Sequence, residues 1–571
     1  MYFLALATDY DGTLAHGGVV SEQTLTALCR LKDTGRRLIL VTGRELDDLQ
    51  SVFRDVAVFD RVVAENGALL FDPGSGSERV LAEPPPALFI ERLQARRLEP
   101  LSIGRVIVAT REPGEKLVLD VIRELGLELQ IIFNKGAVMV LPAGVNKATG
   151  LAAALEDLGL SPHNVVGVGD AENDHAFMSA CGASAAVANA LPTLKAEADH
   201  VLAASHGAGV EELIERMIAD DSTLVPARHG IVVGTAADGR DVVLEPHRGG
   251  VLIAGTSGVG KSTLATALTE QMAERGFEFC VFDPEGDYDE LRDAVTIGDA
   301  ETAPQTDEAL KLLEKLDTNV VINTQSFTMS ERPAYFARLL PQIASVRART
   351  GRPHWLIIDE AHHLLPANRG DFAGVLPETL PTVVLITVHP EAVAPAVLET
   401  VETVIAVGEH AERVIGAVCD AVGRPRPAGV PVPGPDEAVV LRMRGDGGPR
   451  VMKVAEPRQK HRRHTLKYAE GRLGEDRSFY FRGPDGRLNL RAHNLMLFVE
   501  LADGVDDETW EYHRRAHDYS AWFRDAIKDE ALAREAAEIE ADETLDARAS
   551  RERIAAAVRR RYTVPAEGAE R

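Results

Sequence analysis

The chain has 571 residues, which is too many for one hydrophobic core and predicts about three domains. A formal net charge of −26 disfavours nucleic acids and acidic membranes as general partners, although a local basic channel stays open. Four scattered cysteines without CxxC spacing, and no apolar stretch of about 20 residues, predict a soluble, cytoplasmic protein without disulfides, a zinc site or a membrane span.

Residues 1–218 alternate short Val/Ile/Leu runs with helical patterns, which is typical of a parallel α/β sheet. An insert at about 72–144 has strand and helix patterns of its own and predicts a small α/β subdomain. The predicted strands of the insert cover 105–109, 129–133 and 137–141. Residues 220–226 are rich in Asp, Ser and Pro and predict a linker.

Two carboxylates follow the first apolar run of the chain. Asp9 and Asp11 come directly after residues 2–7, which predict a strand. Because ligands bind at the carboxyl edge of a parallel sheet, such a pair can hold Mg²⁺ and also divide the chemistry. One carboxylate attacks phosphorus and the other carries a proton to the leaving group. Asp-x-Asp by itself is equally compatible with a surface carboxylate pair.

Three later elements favour phosphate chemistry. Thr42 and Gly43 follow another predicted strand and offer a hydroxyl and backbone N–H groups to a phosphoryl oxygen. Lys147 can neutralise the charge that grows on that group. Asp170 and Asp174 follow a further predicted strand and offer additional carboxylates to the metal. The set predicts a phosphatase with an aspartate nucleophile.

These four elements, in this order, resemble the haloacid dehalogenase superfamily of phosphatases. The resemblance is specifically to its Cof-like branch, in which a large α/β cap lies between the second and third motifs. Residues 65–68 and the insert fit that branch. The resemblance covers about residues 1–215 and implies a Rossmann-like core, an inserted cap, Mg²⁺ as cofactor and the hydrolysis of a phosphate monoester.

The resemblance also implies a role for each motif residue. By it, Asp9 is the nucleophile that becomes an aspartyl-phosphate, and Asp11 is the general acid/base. Thr42 with Gly43 and Lys147 binds the phosphoryl group. The implied metal site consists of Asp9, the carbonyl of Asp11, Asp170 and Asp174, the last of which supports the metal or Lys147.

The substrate is less well defined by the sequence. A cap closes over the leaving group, so specificity is expected to reside in the insert. Its basic residues either meet an anionic substrate or form solvated surface; they are Arg96, Arg97, Arg105, Arg111 and Lys135. The implied partner is a small phosphorylated metabolite, with phosphoglycolate and sugar phosphates both within the family's range.

A second phosphate-binding motif lies between the apolar run 251–254 and a helical pattern. Its glycines let backbone N–H groups face phosphate, and the start of the helix adds positive potential. Lys261 is expected to reach the β- and γ-phosphates, and the Ser262 hydroxyl to coordinate Mg²⁺. The predicted nucleotide-binding residues of this P-loop are Gly255, Ser257, Gly258, Val259, Gly260, Lys261, Ser262 and Thr263.

An apolar strand pattern at 354–358 ends in two acids, Asp359 and Glu360. Asp359 is expected to hold the Mg²⁺ shell, and Glu360 is placed to polarise an attacking water. A kinase more often keeps a lone aspartate at this position. The pair therefore favours ATP hydrolysis.

The segments 230–234, 281–288, 359–366 and 385–390 complete a resemblance to the RecA-like motor ATPases of the HerA/FtsK type. The resemblance covers about residues 228–455. It implies a homo-oligomeric ring, most often a hexamer, in which a neighbouring subunit completes each nucleotide site. By this resemblance, Thr387 or His389 is expected to be the γ-phosphate sensor. The arginine finger stays unassigned among Arg332, Arg338 and Arg347.

Residues 457–571 predict a mainly helical domain of unknown role. Its aromatic residues fall at helical spacing, and 531–561 form one charged, Ala-rich helical pattern. His464, His493, His513 and His517 lack the spacing of metal ligands and predict core or surface positions.

Three functions stay open. The leading hypothesis is a bifunctional enzyme, a small-molecule phosphatase that is regulated or assembled by its ATPase domain. The second is a nucleic-acid processing ATPase with a phosphatase acting on polynucleotide ends, against which the acidic charge and the large cap speak. The third is an ATP-dependent signalling scaffold.

Overall fold

The computed structural model describes residues 1–134, 136–256, 259–289, 291, 293–367, 382–444, 447–458, 473, 477–527 and 529–562. Over these residues the chain is a mixed α/β protein with two large sheets and a C-terminal part that is mainly helical. No helix in the described ranges has both the length and the apolar character needed to cross a membrane.

The elements of residues 1–220 are β1 (Ala5–Thr8), α1 (Glu22–Asp33), β2 (Arg37–Val41), α2 (Leu46–Val52), β3 (Arg61–Ala64), β4 (Leu69–Asp72), β5 (Ser77–Val80), α3 (Ala87–Ala95), β6 (Ser102–Ile103), β7 (Val108–Arg111), α4 (Glu115–Leu125), β8 (Leu129–Asn134), β9 (Ala137–Pro142), α5 (Lys147–Leu158), β10 (Val165–Gly169), α6 (His175–Ala180), β11 (Ala183–Ala186), α7 (Pro192–Glu197), β12 (His200–Val201) and α8 (His206–Asp220).

The first sheet has the strand order β12-β11-β10-β1-β2-β3-β4-β5. The strands from β12 to β3 are parallel, and β4 and β5 are antiparallel at the edge. Strands β11, β10, β1, β2 and β3 are mostly apolar and buried, as expected for a sheet covered by helices on both faces. A separate antiparallel sheet, β6-β7-β9-β8, forms the cap with α3 and α4.

The cap differs from the sequence prediction at its first long strand. The predicted strand 105–109 is found as β7, which starts only at Val108. The backbone N–H groups of residues 105–107 instead donate to the carboxylate of Glu65, a residue of the core. A tertiary contact therefore takes these residues out of the strand.

The elements of the central part are β13 (Ile231–Ala236), β14 (Asp241–Leu244), β15 (Gly250–Ala254), α9 (Lys261–Glu274), β16 (Phe279–Asp283), β17 (Ala294–Ile297), α10 (Thr306–Glu314), β18 (Asn319–Asn323), α11 (Glu331–Thr350), β19 (Trp355–Ile358), α12 (Ala361–Leu364), β20 (Val383–Thr387), α13 (Pro395–Leu398), β21 (Val401–Val407), α14 (Ala411–Ala421), β22 (Glu437–Arg442) and β23 (Arg450–Val454). The sheet order is β14-β13-β23-β22-β21-β15-β20-β19-β16-β18-β17. From β21 to β17 its strands are parallel.

The elements of the C-terminal part are β24 (Phe479–Phe481), β25 (Leu490–Ala492), α15 (Leu495–Gly504), α16 (Asp507–Arg515), α17 (Asp518–Asp525), α18 (Glu530–Ala541) and α19 (Ala547–Tyr562).

The helical pattern predicted over 531–561 is two helices rather than one. The carboxylate of Asp542 accepts the N–H of Thr544 at 3.0 Å and ends α18, and Asp546 caps α19 by accepting the N–H of Ala549 at 2.7 Å. Aspartate side chains compete in this way with helical backbone bonds. The buried guanidinium of Arg514 donates to carbonyls of the intervening turn.

The segment 220–226, predicted as a linker, is packed rather than free. The buried carboxylate of Asp221 accepts the N–H groups of Tyr2 and Phe3 at 2.8 and 3.0 Å. It also pairs with the guanidinium of Arg36 at 3.0 Å. This connection therefore anchors the start of β1.

The two large sheets meet at a contact that we call the joint, formed by His163, Asn164, His229, Phe277 and His354. The ring of His163 stacks on Phe277 with centroids 4.2 Å apart, and His354 Nε2 lies 3.2 Å from Asn164 Oδ1. Burial lowers the pKa of all three histidines, that of His229 to about 3, so the joint holds neutral rings.

Strand β10 begins directly after Asn164, and β19 begins directly after His354. Each strand runs away from the joint to the carboxyl edge of its own sheet. Strands of four and five residues span about 13 and 17 Å, so each carboxyl edge lies about one strand length from the joint. The joint is thus a contact between the two parts that is separate from both edges where ligands are expected.

Arg352 fastens the joint and gives a stability prediction. Its side chain is fully buried, lies 3.1 Å from the carboxylate of Glu278 and donates to the Gly159 carbonyl across the joint. Arg352→Ala leaves Glu278 buried without its partner, which is expected to lower the free energy of unfolding by about 3–5 kcal/mol. Urea denaturation measures the loss.

The matched control is Arg349→Ala. Arg349 pairs with Glu314 at 2.7 Å, but its side chain is 62% exposed. An exposed pair contributes only about 0–1 kcal/mol. Equal shifts in the two urea midpoints would contradict the role given to Arg352.

Candidate active sites

Three carboxylates meet at the carboxyl edge of the first sheet. Asp9 follows β1, Asp170 follows the neighbouring parallel strand β10, and Asp174 lies in the turn after it. All three side chains are buried, and each offers one oxygen within 4.8 Å of the others. Hard oxygen donors of this kind suit Mg²⁺.

Lys147 is the cation of this cluster. It is the first residue of α5, whose start is capped by the side chain of Asn146. Its Nζ lies 2.5 Å from Asp9 Oδ1 and 2.6 Å from Asp174 Oδ1, and the side chain is 1% exposed. One ammonium thus meets two carboxylates directly, while a third lies close by.

Burial, and next the charge of Asp174, raise the pKa of Asp9 to about 7 against the opposing effect of Lys147. The other oxygen of Asp174 accepts the N–H groups of Asp170 and Ala171 at 2.8 and 2.9 Å. Both carboxylate oxygens of Asp174 are therefore engaged in hydrogen bonds, and Asp174 orients Lys147 toward Asp9. The excess of negative charge is suited to a divalent cation.

Asp11 lies at the mouth of the site rather than among the buried carboxylates. Its side chain is 42% exposed, against 6% for Asp9. Arg44 donates two hydrogen bonds to the Asp11 carboxylate, from Nε at 2.6 Å and from Nη2 at 2.7 Å. It also donates to the Asp48 carboxylate. Planar, bidentate pairing of this kind orients a carboxylate as well as neutralising it.

Thr42 and Gly43 directly follow β2, and Gly43 lies against the cap. Thr42 is fully buried, and its hydroxyl accepts the N–H of Arg44 at 3.2 Å. A β-carbon on Gly43 would come within 3.5 Å of the sulfur of Met139, a cap residue, and within 3.7 Å of Asn173 Nδ2. The predicted phosphoryl-binding loop therefore faces the cap.

The sequence motifs indicate no role for three residues near this site. They are Arg44, which holds Asp11, Glu65, which binds the cap, and Met139, which lies against Gly43. Arg44 and Glu65 are next to motif residues in the sequence, and this proximity is the feature that could have indicated a functional role for them. Met139 belongs to an ordinary apolar strand and carries no such signal.

Two of the basic residues named for the cap, Arg105 and Arg96, form ion pairs with protein carboxylates. Arg105 binds Asp47 at 2.6 Å and Glu78 at 3.2 Å. Arg96 pairs with Glu124. Lys135 lies outside the described residues.

A second cluster occupies the carboxyl edge of the central sheet, where β15, β20, β19 and β16 end side by side. Lys261, the first residue of α9, is 8% exposed, and its Nζ donates to the Thr256 carbonyl at 2.7 Å. Gly260 has φ 100°, a conformation that favours glycine. Gly255, Val259, Ser262 and Thr263 lie in the same loop and helix start, and Ser257 and Gly258 fall outside the described residues.

Asp359 and Glu360 directly follow β19 within this cluster. Asp359 is buried, and its pKa is raised well above the usual range by burial and then by Glu360 and two further acids, Asp287 and Asp283. Glu360 has φ 43° and lies 3.3 Å from His362, whose ring contacts the Thr387 hydroxyl at 3.0 Å. The two acids and the sensor candidate thus share one edge.

The other candidates for the γ-phosphate sensor and the arginine finger lie in different parts of the structure. His389 also reaches this edge, because its N–H donates to the Thr387 hydroxyl at 3.0 Å. Arg347 lies instead at the joint, where it donates to the His354 carbonyl at 2.9 Å. Arg347 is therefore far from the carboxyl edge of the central sheet, where the nucleotide is expected to bind. Arg477 of the C-terminal part lies 3.4 Å from Glu285, in the loop after β16.

Family models match both large parts of the chain. Residues 6–82 and 103–214 match the model of haloacid dehalogenase-like hydrolases, and the gap falls in the cap. Residues 242–362 match the model of the central domain of helicase HerA. Both resemblances drawn from the motifs are thereby confirmed, and so is the fold class.

Individual relatives agree for the first part. The phosphoglycolate phosphatase of Methanothermobacter thermautotrophicus is 32% identical over 222 residues, which are 38% of this chain and 98% of the relative. Phosphoglycolate phosphatase 2 of Saccharolobus solfataricus is 30% identical, over 38% of this chain and 93% of the relative.

Among solved structures, a haloacid dehalogenase-like hydrolase from Bacteroides thetaiotaomicron is 20% identical. The match covers 38% of this chain and 99% of that one, with a TM-score of 0.33. Through its N-terminal part, with the carboxylates and the lysine described above, the chain belongs to the haloacid dehalogenase-like hydrolases.

Proposed function

We propose that the N-terminal part is a Mg²⁺-dependent phosphomonoester hydrolase that works through an aspartyl-phosphate on Asp9. The observation that supports this most is the contact of Lys147 with both Asp9 and Asp174. It leaves the nucleophile buried and oriented, beside a cation that can bind a phosphoryl oxygen. Replacement of Asp9 is the test, argued in the Discussion.

In the first step, an Asp9 carboxylate oxygen forms a bond to phosphorus as the bond to the ester oxygen breaks. Asp11 acts here in its protonated form and gives its proton to the departing alkoxide. Thr42 and Lys147 bind the phosphoryl oxygens and stabilise the charge that develops there.

In the second step, water attacks phosphorus, Asp11 takes the proton of the water, and the bond to Asp9 breaks to release inorganic phosphate. The enzyme returns to its starting state, because the proton that Asp11 gave in the first step is recovered in the second.

Asp9, the Asp11 carbonyl and Asp170 would hold Mg²⁺, with Asp174 in support. When bound, the ion would supply positive charge to the phosphoryl group and its entering and leaving oxygens.

Metal binding should depend on pH. Mg²⁺ binds the ionised carboxylate, and the pKa of Asp9 lies at about 7 in the metal-free site. Protons therefore compete below this pH, and affinity is gained as the pH rises through 7. We expect Mg²⁺ to bind about 10-fold more tightly at pH 8 than at pH 6, with proton release at the lower pH. Calorimetry in two buffers of different ionisation enthalpy measures both, and an affinity independent of pH would contradict the expectation.

We further propose that the substrate is a small phosphorylated metabolite, with phosphoglycolate the first to test. The support is the substrate named for the relatives reported above. Phosphate release from phosphoglycolate, compared with release from sugar phosphates at equal concentration, is the measurement.

For the central part, we propose ATP binding at the P-loop and hydrolysis supported by Asp359 and Glu360. The support is their position on one sheet edge with Lys261. Regulation or assembly of the phosphatase by this part, including a hexameric ring, stays a prediction. So do the nucleic-acid and scaffold alternatives.

A further inference from the structure

We propose that Met139 sets an upper limit on the size of the leaving group, and so restricts the phosphatase to short-chain phosphate esters. The inference rests on the proposed phosphatase function. It concerns a residue on β9 of the cap that lies directly against the predicted phosphoryl-binding loop at Gly43.

The base of the cap is clamped to the core by Glu65. This buried carboxylate accepts the N–H groups of Arg105, Val106 and Ile107 at 2.7, 2.7 and 2.9 Å. A β-carbon on Gly104 would approach Glu65 to 2.6 Å, so glycine is needed for this contact. Three charge-assisted bonds to one buried carboxylate fix the height of the cap above the site.

The space between the clamp and the site is filled by apolar side chains. The cluster consists of Ala68, Val106, Ile107, Met139, Leu141 and Val145. Interiors of this kind are close-packed, so the cap cannot tilt toward the core without displacing side chains. The clamp and the cluster together hold Met139 where it is.

Met139 is the member of the cluster that lies against Gly43. It is 5% exposed, and its sulfur lies 3.5 Å from the position of a β-carbon on Gly43. It pairs in register with Ile132 of β8, and the two share the core-facing side of the cap sheet. A leaving group that extends from Gly43 toward the cap therefore meets the thioether at once.

Two amide groups beside Met139 are suited to the polar atoms of a short leaving group. Asn134 follows Ile132 by two residues on the same side of β8, and Asn173 lies 3.7 Å from the β-carbon position on Gly43. The side-chain oxygens of both are buried and have no hydrogen-bond partner in the described part of the chain. A buried amide oxygen left unpaired is costly, and a ligand donor would satisfy it.

The test is a change of specificity in Met139→Ala. Removal of the thioether should raise the ratio of kcat/KM for glucose 6-phosphate to kcat/KM for phosphoglycolate by about 10-fold or more, since discrimination by a few methylene-sized contacts is worth about that. Met139→Val should move the ratio in the same direction by less, which keeps the test readable if the alanine variant does not fold.

Val140→Ala is the matched control. Val140 is the next residue of the same strand, is fully buried, and packs on the opposite side against the cap helices. Its truncation loosens the cap without opening the site, so the ratio should stay within about two-fold of wild type on the scale of a small binding change.

Two results would overturn the proposal: an unchanged ratio in both Met139 variants, or an equal rise in Val140→Ala. The failure of the proposed function looks different. In that case wild-type protein would hydrolyse neither ester, and the inference would fall with it.

Discussion

Asp9→Asn is expected to abolish the phosphatase activity, with kcat for phosphoglycolate falling by roughly 10⁴- to 10⁶-fold, as when a covalent nucleophile is removed from other enzymes. A carboxamide cannot form an acyl-phosphate. The substitution also removes the charge that Lys147 contacts at 2.5 Å, so the lysine would turn to Asp174 alone. Phosphate release in the presence of Mg²⁺ is the measurement.

Asp33→Asn is the control for Asp9. Asp33 is an exposed residue at the end of α1 in the same part of the chain, and its replacement should leave kcat unchanged. Wild-type turnover in purified Asp9→Asn would show that the nucleophile lies elsewhere. Circular dichroism separates a chemical loss from unfolding.

Lys261→Ala should weaken ATP binding strongly while phosphoglycolate hydrolysis stays within a few-fold of wild type. Lys261 starts α9 at the end of β15, where its ammonium can turn from the Thr256 carbonyl to a phosphate. Loss of charge-assisted bonds to phosphate costs about 1.5–3 kcal/mol, which raises Kd by about 10- to 140-fold. Titration with a fluorescent ATP analogue measures this.

Lys311→Ala is the matched control, because Lys311 is an exposed lysine on α10 of the same sheet domain. It should bind the analogue like wild type. If Lys261→Ala also binds with wild-type Kd, the nucleotide site is not at this loop.

The position of the candidate site residues was largely predictable from the sequence. Asp9, Asp170 and Asp359 each follow a short apolar run, and the edge rule for parallel strands brings such residues together from distant segments. Lys147 and Lys261 begin helices, where motif spacing is local. The position of a functional residue that follows a strand or begins a helix can therefore be predicted from the order of the strands and helices along the chain.

Features that depend on tertiary contact were missed. The strand predicted at 105–109 was displaced because Glu65 takes its N–H groups. The predicted linker packs because Asp221 finds Arg36 and the chain start. Met139 looks like any strand residue until the cap is laid over Gly43. No local pattern encodes which distant backbone a buried side chain will meet.

The joint illustrates the same limit. His163 and His354 are isolated histidines that lie 191 positions apart in the sequence. Only the packing of one sheet on the other makes them neighbours, with ring centroids 5.3 Å apart. Their rings contact Phe277, which follows α9 as an ordinary aromatic residue.

We propose that one chain holds two chemically separate sites. The most direct test measures phosphoglycolate hydrolysis and ATP hydrolysis side by side in wild type, Asp9→Asn and Lys261→Ala. We expect a crossed result, in which Asp9→Asn loses only the first activity and Lys261→Ala only the second. Loss of both activities in either folded variant would contradict it.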